Sequence, residues 1–455
     1  MKLRREILRL ALPSILANIT VPLVGMVDLA VAGHLQGDFT SAAFIGGISI
    51  GSMLFELLYW NFSFLRTGTG GLTAQAYGRG DVEYQAFCLR RALRIALLSG
   101  LALIAVQWLI VQGAFLVVKC SPEVRRLATQ YFYIRIWAAP ATISLFAFKG
   151  WFIGMQDSVR AMAADLTVNI VNIAGSITLA LLLGFKGIAL GTVLAQWCGF
   201  AYCCIAVRRR FASVVAAWGM ERSGMESPGH TSPAQKGPND NFFKMNRDLV
   251  LRSISMIAVY IGFTVISARH GDLMLASASI LMKLLMLFSY FSDGFAYAGE
   301  ALTGRFVGEQ SADGVHSAVR GSFLWGGGCA LLFLGIYGLC GVPLLRLFSG
   351  DVAVVDAARE FLPWLMLMPL IGIPAFIWDG IYTGATRTRD MMISVVLCAI
   401  GFFATYLGGY YLLGPDDVTS IHILMAAYFV HLLIRSLWLT VRWRGSSLKI
   451  GSSPN

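Results

Sequence analysis

An acidic residue, Asp28, lies within a long apolar segment near the amino terminus, in the stretch VPLVGMVDLAVAGHL. A carboxylate at the centre of a membrane helix costs about 2.5–3.5 kcal/mol on insertion scales, and it usually serves a function. Burial in an apolar medium favours the protonated form of a carboxylate, so Asp28 is a candidate site for a proton or a sodium ion. The alternative is a helix-end residue that faces water, because His34 in the following loop is only a few residues away.

A second polar feature lies in the stretch DLTVNIVNIAGSITLALL, where Asn169, Asn172 and Ser176 are spaced i, i+3 and i+7. This spacing places the three side chains on one face of a helix. Thr192 and Gln196, at i and i+4 in the next apolar segment, could complete the cluster. Such a polar stripe should face other helices or a cavity. The simpler alternative is hydrogen bonding between helices, worth about 0.6 kcal/mol per contact.

Two more charges, Glu56 and Lys283, also fall within apolar segments. An internal sequence repeat, described below, places them about one turn apart on equivalent helices. Because lone charges inside a membrane usually find partners, we hypothesise that Glu56 and Lys283 pair across the two halves of the chain.

Several residues near the ends of apolar segments are candidates for contact with a substrate. Asp293 and Glu300 share a helix face in SYFSDGFAYAGE and could form either an interfacial patch or a vestibule that attracts cations. Asp379 occupies the position of Lys149 in the repeat, with the opposite charge. Trp60 lies where a central cavity is expected, and aromatic rings beside carboxylates suit organic cations. Packing is the simpler interpretation of Trp60.

The elements that must position these residues follow from the composition. Of the 455 residues, 57% are hydrophobic and 13% charged, and the mean hydropathy is +0.68. Soluble chains carry about 25% charged residues, so a soluble domain with a polar shell is excluded. Apolar runs of spanning length are continuous rather than alternating, which predicts helices and not barrel strands. They number twelve, at residues 8–32, 42–64, 92–118, 131–153, 162–184, 187–207, 249–269, 273–297, 319–347, 358–383, 391–413 and 419–441. We therefore predict an all-α integral membrane protein.

The net charge of +11 has an explanation in membrane topology. Lys and Arg concentrate on the cytoplasmic side of membrane proteins. With both termini cytoplasmic, most of the 36 basic residues fall on that side. Three, Arg135, Lys149 and Lys283, fall inside spans. Those on the outer side are Lys119, Arg125, Arg126, Lys186, Arg269, Arg346 and Arg359. The positive charge therefore suits a bilayer with anionic headgroups and requires no nucleic-acid partner.

One polar segment divides the apolar runs into two sets of six. Residues 208–248 begin with three arginines and are rich in Gly, Ser and Pro, which predicts a flexible cytoplasmic linker. It separates an amino-terminal lobe, residues 1–207, from a carboxyl-terminal lobe, residues 249–442. Residues 443–455 are predicted to form a cytoplasmic tail.

The two halves resemble each other at a constant offset. The matches are Thr73 with Thr303, Gly78 with Gly308, Gly150 with Gly380, and Gly154 with Gly384. Six spans in each half is an even number, so both halves enter the membrane from the same side. The repeats are therefore parallel and related by an axis along the membrane normal.

Five stretches carry a family resemblance, namely ALPSILANITVPLVGMVDLAVAGHL, YWNFSFLRTGTGGLTAQAYGRGD, NRDLVLRS, YFSDGFAYAGEALTGR and WDGIYTGATRTRDM. They resemble the multidrug and toxic compound extrusion (MATE) family, and within it the branch of DNA-damage-inducible protein F. The resemblance covers nearly the whole chain. It implies two six-helix lobes around a central cleft, in the inner membrane of a prokaryote. It also implies efflux of small amphipathic compounds by alternating access, driven by a proton or sodium gradient, and we expect a monomer.

The resemblance also implies roles for individual residues. Asp28 resembles the coupling carboxylate of the first helix, and Pro13 the proline about which that helix bends. Asn172 resembles the asparagine of the amino-terminal cation site, and Thr192 its threonine. The family often has an aspartate where this chain has Ser176. Proton coupling through Asp28 is then simpler than a sodium site at Asp28, Asn172 and Thr192.

Two other functions remain open at the level of sequence. A flippase for lipid-linked oligosaccharides would need a larger and more cationic cleft and usually more than twelve spans. An integral-membrane enzyme would need clustered acids or histidines, whereas the six histidines are scattered. The chain has no Walker, G-x-S-x-G or H-E-x-x-H motif, and its eight cysteines have no metal-ligand spacing, so no cofactor is predicted.

Overall fold

The computed structural model describes residues 2–35, 39–118, 120–212, 214–216, 238–348, 351–413 and 416–444. In these residues every regular element is a helix. The predicted all-α fold is therefore confirmed. Two predicted segments lie largely outside the described residues, namely most of the 208–248 linker and residues 445–455 of the tail.

The chain divides into two compact units. The N-terminal unit is Leu16–Gln235, and the C-terminal unit combines Met1–Ile15 with Lys236–Asn455. Helix α1 (Lys2–Gly33) is thus shared between the units. The other helices of the N-terminal unit are α2 (Ser41–Trp60), α3 (Ser63–Arg79), α4 (Val82–Ala105), α5 (Gln107–Val117), α6 (Pro122–Arg135), α7 (Ala139–Gly154), α8 (Ser158–Leu183) and α9 (Phe185–Arg210), with a 3₁₀ turn at Ile136–Ala138.

The C-terminal unit has a comparable set of helices. They are α10 (Pro238–Arg269), α11 (Asp272–Gly308), α12 (Ala312–Phe348), α13 (Val352–Glu360), α14 (Leu362–Gly384), α15 (Thr388–Leu413) and α16 (Asp417–Arg444). The helices α11 and α12 each have 37 residues. At a rise of 1.5 Å per residue, they extend well beyond the hydrocarbon core of a bilayer.

The number of membrane spans agrees with the twelve predicted apolar runs, with one correction. Among the described residues, eleven helices are long and apolar enough to span a membrane, and the number is twelve if a bent pair of helices counts as one span. The run 92–118 was predicted to be continuous, but the chain bends by 64° between Val82–Ala105 and Gln107–Leu116. The break falls at Val106, where no proline or glycine gives the usual sequence signal of a kink. The polar residue Gln107 begins the second piece.

Polar side chains fix where several helices begin. The side chains of Asp81, Ser121 and Asp157 accept hydrogen bonds from the backbone N–H groups of Tyr84, Val124 and Arg160, at 2.9, 3.3 and 3.2 Å. Each bond satisfies a backbone donor that has no partner within its own helix. These caps define where α4, α6 and α8 begin.

The internal repeat has the same packing in each unit. A Cβ atom on Gly150 would overlap the carbonyl oxygen of Arg66, and one on Gly380 would overlap the carbonyl oxygen of Ala296. Arg66 and Ala296 are themselves equivalent in the repeat. In both units, therefore, only glycine allows two helix backbones to approach at this point.

A backbone feature repeats at the same offset. Gln156 and Thr386, which follow α7 and α14, have φ values of 60° and 55°. Residues other than glycine seldom adopt positive φ. The shared turn supports the assignment of the two units as copies of one helical plan.

Candidate functional site

Asp28 is buried in the N-terminal unit, on the part of α1 that belongs to that unit. The residue is 6% exposed, so it is not the water-facing helix-end residue of the alternative hypothesis. Its carboxyl interacts with the Ser176 hydroxyl and, electrostatically, with the Arg135 guanidinium. Within the described part of the chain, Asp28 Oδ1 has no hydrogen bond of standard geometry.

The polar stripe on α8 faces the interior of the same unit, as predicted. Asn172 and Ser176 are 1% and 0% exposed. The Asn172 amide nitrogen donates to Thr192 Oγ1 on α9 at 2.9 Å, which joins the two predicted halves of the cluster. Asn172 Oδ1 and Ser176 Oγ lack a standard hydrogen bond within the described residues.

Two glycines explain how Thr192 reaches Asn172. A Cβ atom on Gly191 would lie 2.5 Å from the Ser176 backbone nitrogen, and one on Gly175 would lie 3.3 Å from the Gly191 Cα. The backbones of α8 and α9 are therefore close enough for a threonine and an asparagine to bond directly.

Asn169 attaches α8 to α1. Its amide nitrogen donates to Thr20 Oγ1 at 2.5 Å, and the Thr20 hydroxyl donates to the Ala17 carbonyl at 2.7 Å. Thr20 was not among the predicted site residues, because an isolated threonine in an apolar helix has no distinguishing pattern. It lies on the same helix as Asp28, so this bond helps to hold the carboxylate-bearing part of α1 against α8.

Arg135 is a second residue of this site that the sequence analysis did not assign to it. Its Nη1 donates to Tyr131 OH at 3.0 Å and to Ser52 Oγ at 3.1 Å, and its guanidinium lies 4.8 Å from the centre of the Phe55 ring. It acts electrostatically on Asp28 and on Tyr59. A charge inside a predicted span requires polar or charged partners. Arg135 has them in Tyr131, Ser52 and Asp28.

The chemistry available at this site is cation binding by oxygen atoms. Among the described residues, Asp28 Oδ1, Asn172 Oδ1 and Ser176 Oγ are buried oxygens without a standard hydrogen bond, one each from a carboxylate, an amide and a hydroxyl. Hard cations prefer such oxygen ligands and need several of them, whereas a proton needs only one. No group of three His, Cys, Asp or Glu residues in the described segments is arranged to hold a metal ion.

Asp379 belongs to a separate charged cluster in the C-terminal unit. Arg252 of α10 and Arg435 of α16 both donate to its Oδ2. The Arg435 side chain is 2% exposed, lies 5.9 Å from the Phe376 ring centre, and also acts electrostatically on Asp293. Neither arginine was singled out by the sequence analysis.

The equivalent position in the N-terminal unit carries the opposite charge. Lys149 forms an ion pair with Asp165 of α8, and both side chains are partly buried. Lys149 and Asp379 are thus each neutralised within their own unit. Glu300 is 1% exposed, so it cannot form part of an exposed interfacial patch.

Glu56 lies within a predicted apolar segment, but its side chain is exposed. The core-facing side of α2 is occupied by Phe55 and Tyr59, one turn apart, and Phe55 stacks on Phe132 with ring centres 4.7 Å apart. Glu56 therefore points away from the unit's core. Lys283 is also exposed and Trp60 is half-buried. Glu56 and Lys283 lie in different units, and their pairing stays a prediction.

Comparisons with a family model, with curated relatives and with solved structures agree with one another. The family model MatE matches residues 13–178 and 249–407. The chain is 32% identical to DNA damage-inducible protein F of Escherichia coli (strain K12), over 96% of this chain and 91% of the relative. It is 23% identical to the probable multidrug resistance protein NorM of Bradyrhizobium diazoefficiens, over 88% and 84% of the two chains. A solved structure of MATE in the bent conformation superposes with a TM-score of 0.79 at 16% identity, covering 99% of this chain and 98% of the other.

Proposed function

The chain belongs to the MatE family, and from that membership we propose that it exports amphipathic, often cationic, organic compounds in exchange for protons. As a member of a transporter family it is a multi-pass membrane transporter and not an enzyme. The relative from Bradyrhizobium diazoefficiens is named as a multidrug resistance protein, which supports a broad range of substrates.

The observation that carries the proposal is the state of Asp28. Its Oδ1 atom is buried and has no standard hydrogen bond to any residue that the structure describes, although an unsatisfied buried acceptor is costly. A proton on this oxygen would remove the charge and allow the carboxyl group to donate. Asp28 therefore suits a site that binds and releases a proton during transport.

A proton fits the site better than a sodium ion. Ser176 stands where the family often has an acid, so this position supplies no second carboxylate beside Asp28. Thr192 Oγ1 already accepts from Asn172 and donates to the Ile188 carbonyl at 3.3 Å. Arg135 adds a positive charge near Asp28. A sodium ion would have few oxygen ligands left, namely those of Asp28, Asn172 and Ser176.

Helix α1 can connect protonation to movement. It is a continuous helix from Lys2 to Gly33, but the division between the two compact units falls inside it, between Ile15 and Leu16. Pro13, just before that division, has no N–H group to donate to the preceding turn. We propose that α1 bends near Pro13 when Asp28 changes its protonation state.

The residues that contact the substrate are proposed from their charge and position. Glu56 and Lys283 have exposed charged side chains, and Trp60 is a half-buried aromatic residue at the end of α2. In the C-terminal unit, Asp293, Glu300 and Asp379 supply carboxylates. We further propose that the chain acts as a monomer in the inner membrane of a prokaryote, with both termini cytoplasmic.

Dye efflux from proteoliposomes tests this function directly. Purified protein is reconstituted with a fluorescent organic cation inside the vesicles, and a proton gradient or a sodium gradient is imposed separately. We expect the proton gradient to accelerate efflux and the sodium gradient to have no effect. Efflux driven by sodium alone would reject proton coupling, and no efflux under either gradient would reject export of this class of compound.

A further inference from the structure

The first half of α1 is packed as a part of the C-terminal unit. Ile7 and Ala11 are 0% exposed, Leu10 is 3% exposed and Ile15 is 6% exposed. By contrast, Leu12 on another face of the helix is 51% exposed. The buried residues recur at the spacing of one helix face, so a continuous stripe of α1 is covered by protein.

Two glycines of the C-terminal unit receive this stripe. The space beside Gly294 on α11 is filled by Ile15, and the Ala11 carbonyl oxygen would lie only 2.9 Å from a Cβ atom there. The space beside Gly321 on α12 is filled by Ile7. The backbones of α1 and α11 therefore approach closely at Ala11 and Gly294, and each isoleucine fills a gap that only a glycine leaves.

An ion pair adds to this contact at the start of α1. Arg305 Nη1 on α11 lies 2.6 Å from Glu6 Oε1, and Arg305 Nε lies 3.4 Å from Glu309 Oε1. The Arg305 guanidinium also lies 4.5 Å from the centre of the Phe306 ring. Arg305 thus contacts Glu6 of α1 as well as Glu309 and Phe306 of its own helix.

We infer that residues 2–15 move with the C-terminal unit and stay packed on α11 and α12 throughout transport. The inference rests on the proposed export function, in which the two units must change their relation. If α1 moved as one rod with the N-terminal unit, Ile7, Ala11 and Ile15 would have to leave Gly294 and Gly321. A bend on the carboxyl side of Ile15, where the division between the two units falls, leaves all these contacts intact.

A reversible disulfide tests whether the segment stays docked. In the variant Ile15→Cys/Gly294→Cys, a bond between the two new cysteines would fix α1 to α11. The isoleucine side chain now occupies the space beside Gly294, so the two Cβ atoms are expected to be close enough for a disulfide. Each single-cysteine variant, treated with the same oxidant, controls for the eight native cysteines.

We expect the disulfide to form in nearly all molecules, as measured by mass spectrometry, and dye efflux to stay within about twofold of the reduced protein. Loss of efflux on oxidation, restored by dithiothreitol, would overturn the inference, because it would show that the segment must undock. Failure of the cysteines to cross-link would also overturn it.

If both cysteine substitutions prevent folding, a charge swap, Glu6→Arg/Arg305→Glu, provides the second test. It should restore the thermal stability lost in each single reversal, and no restoration would count against the docking.

A readout without transport separates this inference from the export function. Amide hydrogen exchange of residues 4–15 should be as slow as that of the facing part of α11 in the unmodified protein. If the protein exports no dye but shows this protection, only the export proposal fails. If residues 4–15 exchange much faster than α11, the inference fails whatever the transport result.

Discussion

Arg435 donates to Oδ2 of Asp379 from a side chain that is only 2% exposed, and Arg252 donates to the same oxygen. Removing one partner of a buried ion pair leaves an uncompensated charge and typically costs about 3–5 kcal/mol. We therefore predict that Asp379→Asn lowers the free energy of unfolding by an amount of that order. The measurement is thermal unfolding of the purified protein in detergent.

The repeat supplies a matched control for this prediction. Lys149 is at the equivalent position, and its pair with Asp165 is more exposed, at 25% and 16% of the two side chains. Lys149→Gln should therefore destabilise the protein less than Asp379→Asn. Equal stability of the two variants would contradict the idea that the burial of Arg435 makes the Asp379 cluster more sensitive to loss of a charge.

Asp28→Asn should abolish proton-driven efflux without unfolding the protein. Asparagine has nearly the same shape as aspartate but cannot change its charge, so the site could no longer bind and release a proton. Efflux from proteoliposomes under a proton gradient measures the effect, and size-exclusion chromatography checks the fold. Normal efflux by this variant would remove Asp28 from the coupling role.

Ser176→Asp should make transport depend on sodium. The substitution places a second carboxylate beside Asp28, so the site gains one negative charge and another oxygen ligand for a hard cation. We expect a sodium gradient to drive efflux in this variant, with Ser176→Asn as the uncharged control. Efflux that stays independent of sodium would show that the amide and hydroxyl oxygens cannot complete a sodium site.

Thr192→Val should weaken the junction between α8 and α9. Valine has nearly the same shape but no oxygen, so the Asn172 amide nitrogen would lose its acceptor. An unsatisfied buried donor costs about 1–3 kcal/mol, which should be measurable as a lower unfolding temperature. Thr192→Ser keeps the hydroxyl and should be close to the parent, whereas equal losses in the two variants would contradict a stabilising role for the hydroxyl.

Gly380→Ala should destabilise the C-terminal unit, because the new methyl group would overlap the Ala296 carbonyl oxygen. Overpacking of this kind costs about 1–3 kcal/mol. Gly327 of α12 is the control, since a Cβ atom there would have no neighbour within 4 Å among the residues that the structure describes. A Gly380→Ala variant as stable as Gly327→Ala would mean that α11 and α14 can separate without cost.

The architecture was predictable because its signals are long and repeated. Continuous apolar runs specify helices in a membrane, and the matching glycines at 150 and 380 identify the repeat. The bend at Val106 was not predictable, because no local residue disfavours a straight helix there. The division of α1 between two units also has no local signal, since it depends on which helices the two halves of α1 contact.

The candidate site was predictable where polar residues share a helix face. Asn172 and Ser176 follow helical spacing, and Asp28 is conspicuous among apolar neighbours. Arg135 was harder to place, since its link to Asp28 runs between helices that are distant in sequence. The exposure of Glu56 was not predictable, because a charged residue in an apolar run can point inward or outward, and the packing of Phe55 decides which.

The sharing of α1 between the two units has a consequence for how the polypeptide could be divided. A cut in the 208–248 segment would leave residues 2–15 covalently attached to the amino-terminal fragment, yet Ile7 and Ile15 of that segment fill the spaces beside Gly321 and Gly294 of the carboxyl-terminal one. The amino-terminal fragment would thus carry residues 2–15, which complete the packing of the carboxyl-terminal fragment. Two fragments produced separately should therefore recognise each other in the membrane, and removal of residues 2–15 should abolish that complementation.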